Sequence, residues 1–309
     1  MGAFELFFIA YFRVFLPLVL LTAIMIKISL VSFVYLVCLL IIPLLPTPSK
    51  RTMNGVTGLF LKCFIAVSFL PLLGHLIFQL VTWFLLESQG RFANFTSCTE
   101  DEKLLRQIGY QNLKGASLYN ILRLTVPDVL IFFMSILTMV LSTRMRDLQV
   151  NTLVTPGSPL PGGEQSKNIY HRIQVLFEYL QNLMLLAAGI IAPSVYFVVV
   201  LICLTMWGCF KSVGSRYLLL QVLLLLYTGC HILLLHLYQF QFFQEAMPPA
   251  SMLARLLGLP GIIQTKCNEL SKILFYPNIK WSAAVNPVVL LFLYLIETIN
   301  INIWLHWVE

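Results

Sequence analysis

The sequence predicts an all-α polytopic membrane protein: about eight transmembrane helices in two parallel four-helix units, with folded outer loops. Three observations carry that expectation. The first is composition: 59% of the 309 residues are hydrophobic and only 11% are charged, where a soluble domain carries roughly 25% charged residues. The mean hydropathy is +0.87, and a soluble fold of this length has too little interior to hide so much apolar side chain. The second is run length. Several apolar stretches approach or exceed the roughly 18–20 residues that cross a bilayer, and they are continuous rather than alternating, which excludes a transmembrane β-barrel. The third is a weak internal repetition, set out below.

The first span is expected over 4–26, with Arg13 and Pro17 inside it. The segment before the first apolar run carries Glu5 and no basic residue, so the span reads as retained rather than as a cleaved signal. The second runs over 28–45, the third over 59–86 and the fourth over 126–142. The fifth, 173–192, is the weakest. Ile169, Ile173, Leu176, Leu180 and Met184 recur at helical spacing, with Glu178 and Gln181 between them, as in an amphipathic interfacial helix that bends into a short span before Pro193. The sixth covers 195–210, the seventh 217–238 and the eighth 287–307. Residues 1–143 and 169–309 then form the two units, and 144–168, rich in Pro, Gly and Ser, reads as a flexible cytosolic linker.

A net charge of +7 does not point to nucleic acid, because the basic residues are scattered through short loops. With a cytosolic N-terminus, the inner loops hold Lys50, Arg51, Arg144, Arg146, Lys167, Arg172, Lys211 and Arg216 against Asp147 and Glu164. Both termini are then inside. The sequon at Asn94 faces outward on this topology and is a glycosylation candidate. Cys98 and Cys267 each fall in an outer loop and form a weak disulfide candidate. The other five cysteines read as small apolar packers.

The halves align in order at similar offsets. Gly74-His75 matches Gly229 and His231, Arg106–Gly109 matches Arg255–Gly258, and Pro127 matches Pro287 at the start of the fourth and eighth spans. An even number of spans per unit makes the repeat parallel rather than inverted. Outer-loop helices are expected at 99–108, behind a Thr99–Glu102 capping box, and at 254–258. The aromatic- and glutamine-rich stretch 238–245 reads as an interfacial belt whose glutamines bond water or lipid heads.

Polar groups inside spans are the candidate functional residues: Arg13, which could snorkel or pair with Glu5, and His75, His231, His236 and Glu297. Asp128, just after Pro127, reads as a first-turn acid complementing the helix dipole. No HExxH, GxSxG or P-loop occurs, and no catalytic, cofactor or metal site is expected.

The strings VSFVYLVCLLIIPLLPTPSK, RQIGYQNLKGA, RLTVPD, LYQFQFFQEAMPP, ARLLGL and IIQTKC are long and idiosyncratic. In them the chain resembles the N-terminal blade region of the Piezo mechanosensitive channels, more the second vertebrate paralogue than the first. The resemblance implies a blade portion, without the pore, of a homotrimeric nonselective cation channel that senses membrane tension. Its partners would be membrane lipids and the remainder of the channel, with no nucleic acid, in the plasma membrane, or the endoplasmic reticulum if truncated. It also implies a fragment, a truncated isoform or an incomplete gene product. The alternatives are a stand-alone membrane protein modulating a channel or binding lipid and, more distantly, a small-solute transporter using His231, His236 and Glu297.

Overall fold

A computed structural model describes residues 3–46, 48, 50–89, 99–113, 116–152, 163–191, 194–210, 214–264, 274–277 and 279–308. Two compact units emerge, Met1–Pro156 and Gly157–Gln264 with Leu274–Glu309.

In the first unit, α1 (Ala3–Ala10) continues through a π turn (Tyr11–Phe15) into α2 (Leu16–Ile26). Pro17 explains the π turn: it has no N–H for the carbonyl of Arg13, and its ring crowds that carbonyl. The Leu16 N–H instead reaches back to the Tyr11 carbonyl. After a break at Lys27, Ser29 and Ser32 form a reciprocal capping box that starts α3 (Leu30–Ile41). A 3-10 turn (Ile42–Leu44), α4 (Lys50–Met53) and α5 (Val56–Gln89) follow. Next come α6 (Glu100–Ile108), capped as expected by Thr99, and α7 (Leu118–Thr152). α2 packs against α3 and α7, and α5 closes the ring by packing against α7 and α3. Leu16, Leu20, Leu61, Phe64 and Ile131 fill the centre. Polar stitches cross it at Ser68–Ser135, 2.9 Å, and Tyr11–Thr138, 3.2 Å.

In the second unit, α8 (Gly163–Ile191), α9 (Val195–Phe210), α10 (Gly214–Leu237) and α13 (Trp281–Val308) are joined by the short α11 (Gln241–Ala246) and α12 (Met252–Leu256). The antiparallel pair β1 (Ile263–Gln264) and β2 (Leu274–Phe275) was not expected from the sequence. Here α8 packs against α9 and α13, and α10 against α13 and α9, the same cycle as in the first unit.

Among the described residues, six helices are long and apolar enough to cross a membrane: 7–26, 56–84, 118–145, 174–191, 217–237 and 281–303. The second and sixth predicted spans are shorter. α3 has 12 residues and α9 has 16, about 18 and 24 Å at 1.5 Å per residue. Between 28 and 44% of each long span is buried. The rest is apolar side chain such as Leu59, Leu70, Leu80 and Trp83, the surface a helix presents to lipid.

Three expectations need correction. α7 and α13 begin at Leu118 and Trp281, so Pro127 and Pro287 lie inside helices rather than at their starts. Packed spanning helices tolerate proline in their interior, since neighbouring helices, side chains or water can satisfy a freed carbonyl. α8 is a single helix. Its polar residues Glu178 and Gln181 are buried against the bundle, not spread on an interface, because the stripe they form faces the polar side of α13. Helix also enters the predicted linker from both sides, over 144–152 and 163–168, while 153–162 lie outside the described residues.

Outside the spans, Glu102 is buried beside Arg106 at 3.6 Å. Burial pushes its carboxyl above the usual range, against the pull of Arg106 and Lys103. A raised folded pKa means that the native state holds the proton longer than the unfolded chain. Stability is therefore expected to fall as pH rises from the ordinary glutamate range through the raised value. Glu102→Gln should flatten that segment of a stability-versus-pH curve, and a slope identical to wild type would show that Glu102 is not its source.

Candidate functional site

The most unusual chemistry in the first unit gathers where α2 breaks. Lys27 is 7% exposed and Asp128 2%, and Lys27 Nζ lies 2.6 Å from Asp128 Oδ2. The other carboxylate oxygen accepts from the Tyr35 hydroxyl at 3.2 Å, and Lys27 also donates to the Leu124 carbonyl at 3.4 Å. Three helices thus converge on one sealed ion pair. Asp128 is not a first-turn dipole partner: it lies three turns into α7, where an unpaired carboxylate would be intolerable. Lys27 was not singled out from the sequence. Its signal was a lone cation between two apolar runs, with no local acid to answer it.

The segment 99–113 closes over this pair. Gly109 ends α6 with φ +122°, and a Cβ there would meet Ser29 and the Lys27 side chain at 3.2–3.3 Å. Tyr110 follows and lies in the notch above Gly74, its ring against His75 (6.1 Å between centroids) and Phe78 (5.9 Å). Burial, then the nearby Asp128 charge, push the Tyr110 phenol up. A Cβ on Gly74 would sit 2.2 Å from the Tyr110 hydroxyl oxygen. Gly74→Ala is therefore expected to cost about 1–3 kcal/mol through overpacking, and Tyr110→Phe, which removes that oxygen but leaves the ring carbon 2.9 Å from the same Cβ, should restore part of it in a thermal melt of the double variant. If the double variant is no more stable than Gly74→Ala alone, the clash lies elsewhere.

Gln79 then clasps the segment. Its Nε2 donates to the Gln111 carbonyl at 2.7 Å and its Oε1 accepts from the Leu113 N–H at 3.4 Å. The second unit has the same clasp: Gln239 Nε2 donates to the Pro260 carbonyl at 3.0 Å, and its Oε1 accepts from the Ile262 N–H at 2.9 Å. In each case one amide grips a carbonyl and the N–H two residues later. Ahead of each clasp a short helix with a Thr or Ser N-cap ends at a positive-φ glycine, Gly109 or Gly258. That glycine abuts the serine preceding the unit's second helix, Ser29 or Ser194. Gln244 and Tyr276 extend the second clasp, through Ile263 at 3.1 Å and a 3.4 Å side-chain bond. Gln239 and Gln244 therefore bind backbone and tyrosine, which corrects the expectation of a water- or lipid-bonded belt for these two, while Gln241 donates to Glu245 at 2.7 Å on the exposed side.

The interior of the second unit is polar. Gln181 donates to Gln221 at 3.0 Å, Gln221 to the Tyr217 hydroxyl at 3.1 Å, and Asn300 to Gln181. Glu297 is fully buried and accepts from Thr228 at 3.3 Å.

Of the remaining candidates, Arg13 donates to the Pro43 and Leu45 carbonyls at 3.0 and 3.1 Å. It satisfies the end of the second helix from within the π turn, rather than snorkelling; the Glu5 side chain lies outside the described residues. His75 and His231 are both buried, and the His236 ring packs edge-on against Phe240 at 5.8 Å. Asn94, Cys98 and Cys267 lie outside the described residues. Among the described residues, no three His, Cys, Asp or Glu side chains converge as metal ligands.

Long lipid-facing helices closed on themselves by buried polar pairs define a multi-pass α-helical membrane protein. The family described as Piezo TM1-24 matches residues 27–159 and again 160–308, and the chain belongs to the Piezo family, one of channels and not of enzymes. It is 27% identical to human Piezo-type mechanosensitive ion channel component 1, over 90% of this chain and 12% of that protein. Against the mouse component 1 protein the identity is 28%, over 92% of this chain and 13% of the other. Against the Drosophila melanogaster Piezo-type channel component it is 24%, over 91% and 13%. The chain thus spans about an eighth of the length of these relatives. The named vertebrate relatives are component 1 proteins, which corrects the expected leaning toward the second paralogue. No solved structure matches.

Proposed function

We propose that this chain forms a distal blade portion of a Piezo-type mechanosensitive cation channel, contributing tension or curvature sensing and no pore. The observation that carries this reading is the doubled clasp. Two units with the same packing cycle, the same capped helix, the same positive-φ glycine and the same glutamine grip are what a stacked parallel repeat requires. Family membership supplies the channel context. On this reading residues 1–143 and 169–309 are two four-helix units of eight spans, with the short α3 and α9 crossing locally thinned bilayer. Both termini face the cytosol, and the units join the remainder of a homotrimer in the plasma membrane. Asn94 is then outward and open to glycosylation, and Cys98 and Cys267 face an oxidising compartment.

Tension does work on a protein in proportion to the change in its in-plane area, so only a difference in area between states can bias gating. A rigid repeat unit carries that change outward from a pore it does not touch. The test is deletion of residues 27–308 from the full-length channel, with stretch-activated current recorded in channel-null cells. The expected result is a working pore whose half-activation tension rises; an unchanged threshold would overturn the blade reading. The stand-alone alternative predicts a native immunoblot band near 35 kDa only, and the transporter alternative predicts solute flux abolished by neutralising Glu297.

A further inference from the structure

Next to the second clasp lies a cavity of about 490 Å³, bounded by the α12 segment, the stretch before α13 and the first turns of α13. Among the described residues its wall includes two cations, Arg255 and Lys280, both exposed, and no carboxylate. Asn286, 2% exposed, lies in the same wall with no hydrogen-bond partner for its Oδ1. Ile191, Leu259 and Ile279 supply an apolar side. Trp281, 71% exposed, stands at the start of the 281–303 span, where an aromatic ring marks the lipid–water boundary.

We propose that this cavity binds the headgroup of a phospholipid. The phosphate is held by Arg255 and Lys280, and a headgroup N–H or O–H donates to the Oδ1 of Asn286. Each part follows from the chemistry on the wall. Two cations without a neighbouring acid suit one phosphate, and Arg in particular can hold it with paired donors. A buried acceptor left without a donor is costly, and an ethanolamine ammonium or a glycerol hydroxyl supplies one, whereas choline has none. The volume is in the range of small-molecule pockets, enough for a headgroup and its glycerol, while the acyl chains continue along the apolar side. The backbone around the cavity is already set by the clasp on Pro260 and Ile262 and by the turn at Gly258, so little ordering is required on binding. The site does not depend on whether the chain belongs to a tension sensor.

The full chain, purified and delipidated in detergent, would be titrated with dioleoyl phosphatidylethanolamine, dioleoyl phosphatidylcholine and dioleoylglycerol and read by native mass spectrometry. The ethanolamine lipid should bind several-fold better than the choline lipid, and dioleoylglycerol should stay at background. Arg255→Gln with Lys280→Gln, both at exposed positions, should reduce the ethanolamine adduct about tenfold, two lost charge contacts, and Arg255→Lys with Lys280→Arg should restore most of it. Equal binding of all three lipids, or an unchanged double glutamine variant, overturns the proposal. Soluble glycerophosphoethanolamine competing as strongly as the lipid would also overturn it, by showing a site for soluble anions.

Discussion

Replacing Lys27 with methionine is expected to be the most damaging single change in the first unit. The substitution keeps the stem but leaves the Asp128 carboxylate buried at 2% exposure without its cation, only the Tyr35 hydroxyl remaining from its side-chain partners. Breaking a buried pair in this way costs about 3–5 kcal/mol, which for a unit of this size lowers the melting temperature by about 10 °C. The companion variant decides the cause. Lys27→Met with Asp128→Leu removes both charges, and buried pairs replaced by apolar residues of similar volume are often no less stable than the pair. The double variant should therefore melt well above Lys27→Met in the same detergent. If it melts as low as the single variant, the loss comes from packing around Lys27 and not from the stranded acid. High salt should not rescue or mimic the single variant, because a sealed pair is poorly screened.

The second large effect is expected at the clasps. Gln79→Leu deprives the Gln111 carbonyl and the Leu113 N–H of their partner, and Gln239→Leu does the same to Pro260 and Ile262. These groups are half-buried, so each loses less than the roughly 1–3 kcal/mol of a fully buried unsatisfied group, and local opening of either segment should become about tenfold to a hundredfold more frequent. Amide hydrogen exchange reads this directly, since the Leu113 and Ile262 N–H groups are the donors in question. Exchange should accelerate at Leu113 in one variant and at Ile262 in the other, with the partner unit unchanged. Uniform acceleration across a whole unit would mean that the glutamine supports global folding instead. Under the blade reading, the same variants in a full-length channel should raise the tension needed for half-activation.

Much of this was legible in the residues. Apolar run length located the six long spans, because crossing a bilayer imposes a length that composition records. The Thr99 cap and both glycine-terminated short helices followed from local chemistry that acts within one turn. The offsets linking Arg106–Gly109 to Arg255–Gly258 pointed at the segments that prove to be clasped. The clasping residues themselves were missed. Gln79 is one polar residue in a long apolar span, and Gln239 sits in a stretch whose composition points to lipid and water. Lys27 and Asp128 are 101 residues apart, and no local pattern says which cation answers which acid across a bundle. The prolines misled for a physical reason: proline suits the first turn of a helix, but packed spanning helices also tolerate it in their interior, and Pro127 and Pro287 sit well within α7 and α13.

The π turn at Tyr11–Phe15 bears on how the first helix tolerates a change in residue count. In a regular α-helix, removing one residue swings everything beyond it by about 100°, since a turn holds 3.6 residues. Phe8 and Leu20, both buried and on opposite sides of the turn, would then no longer face the same core. A π turn already carries one residue more than the α-helix needs. Deleting Val14, an exposed member of that turn, would remove the extra residue and keep Phe8 and Leu20 in register, with Pro17 still leaving one carbonyl without an intrahelical N–H. The first helix can therefore shorten by one residue at this point, whereas the same deletion one turn into α2 would turn its apolar core outward.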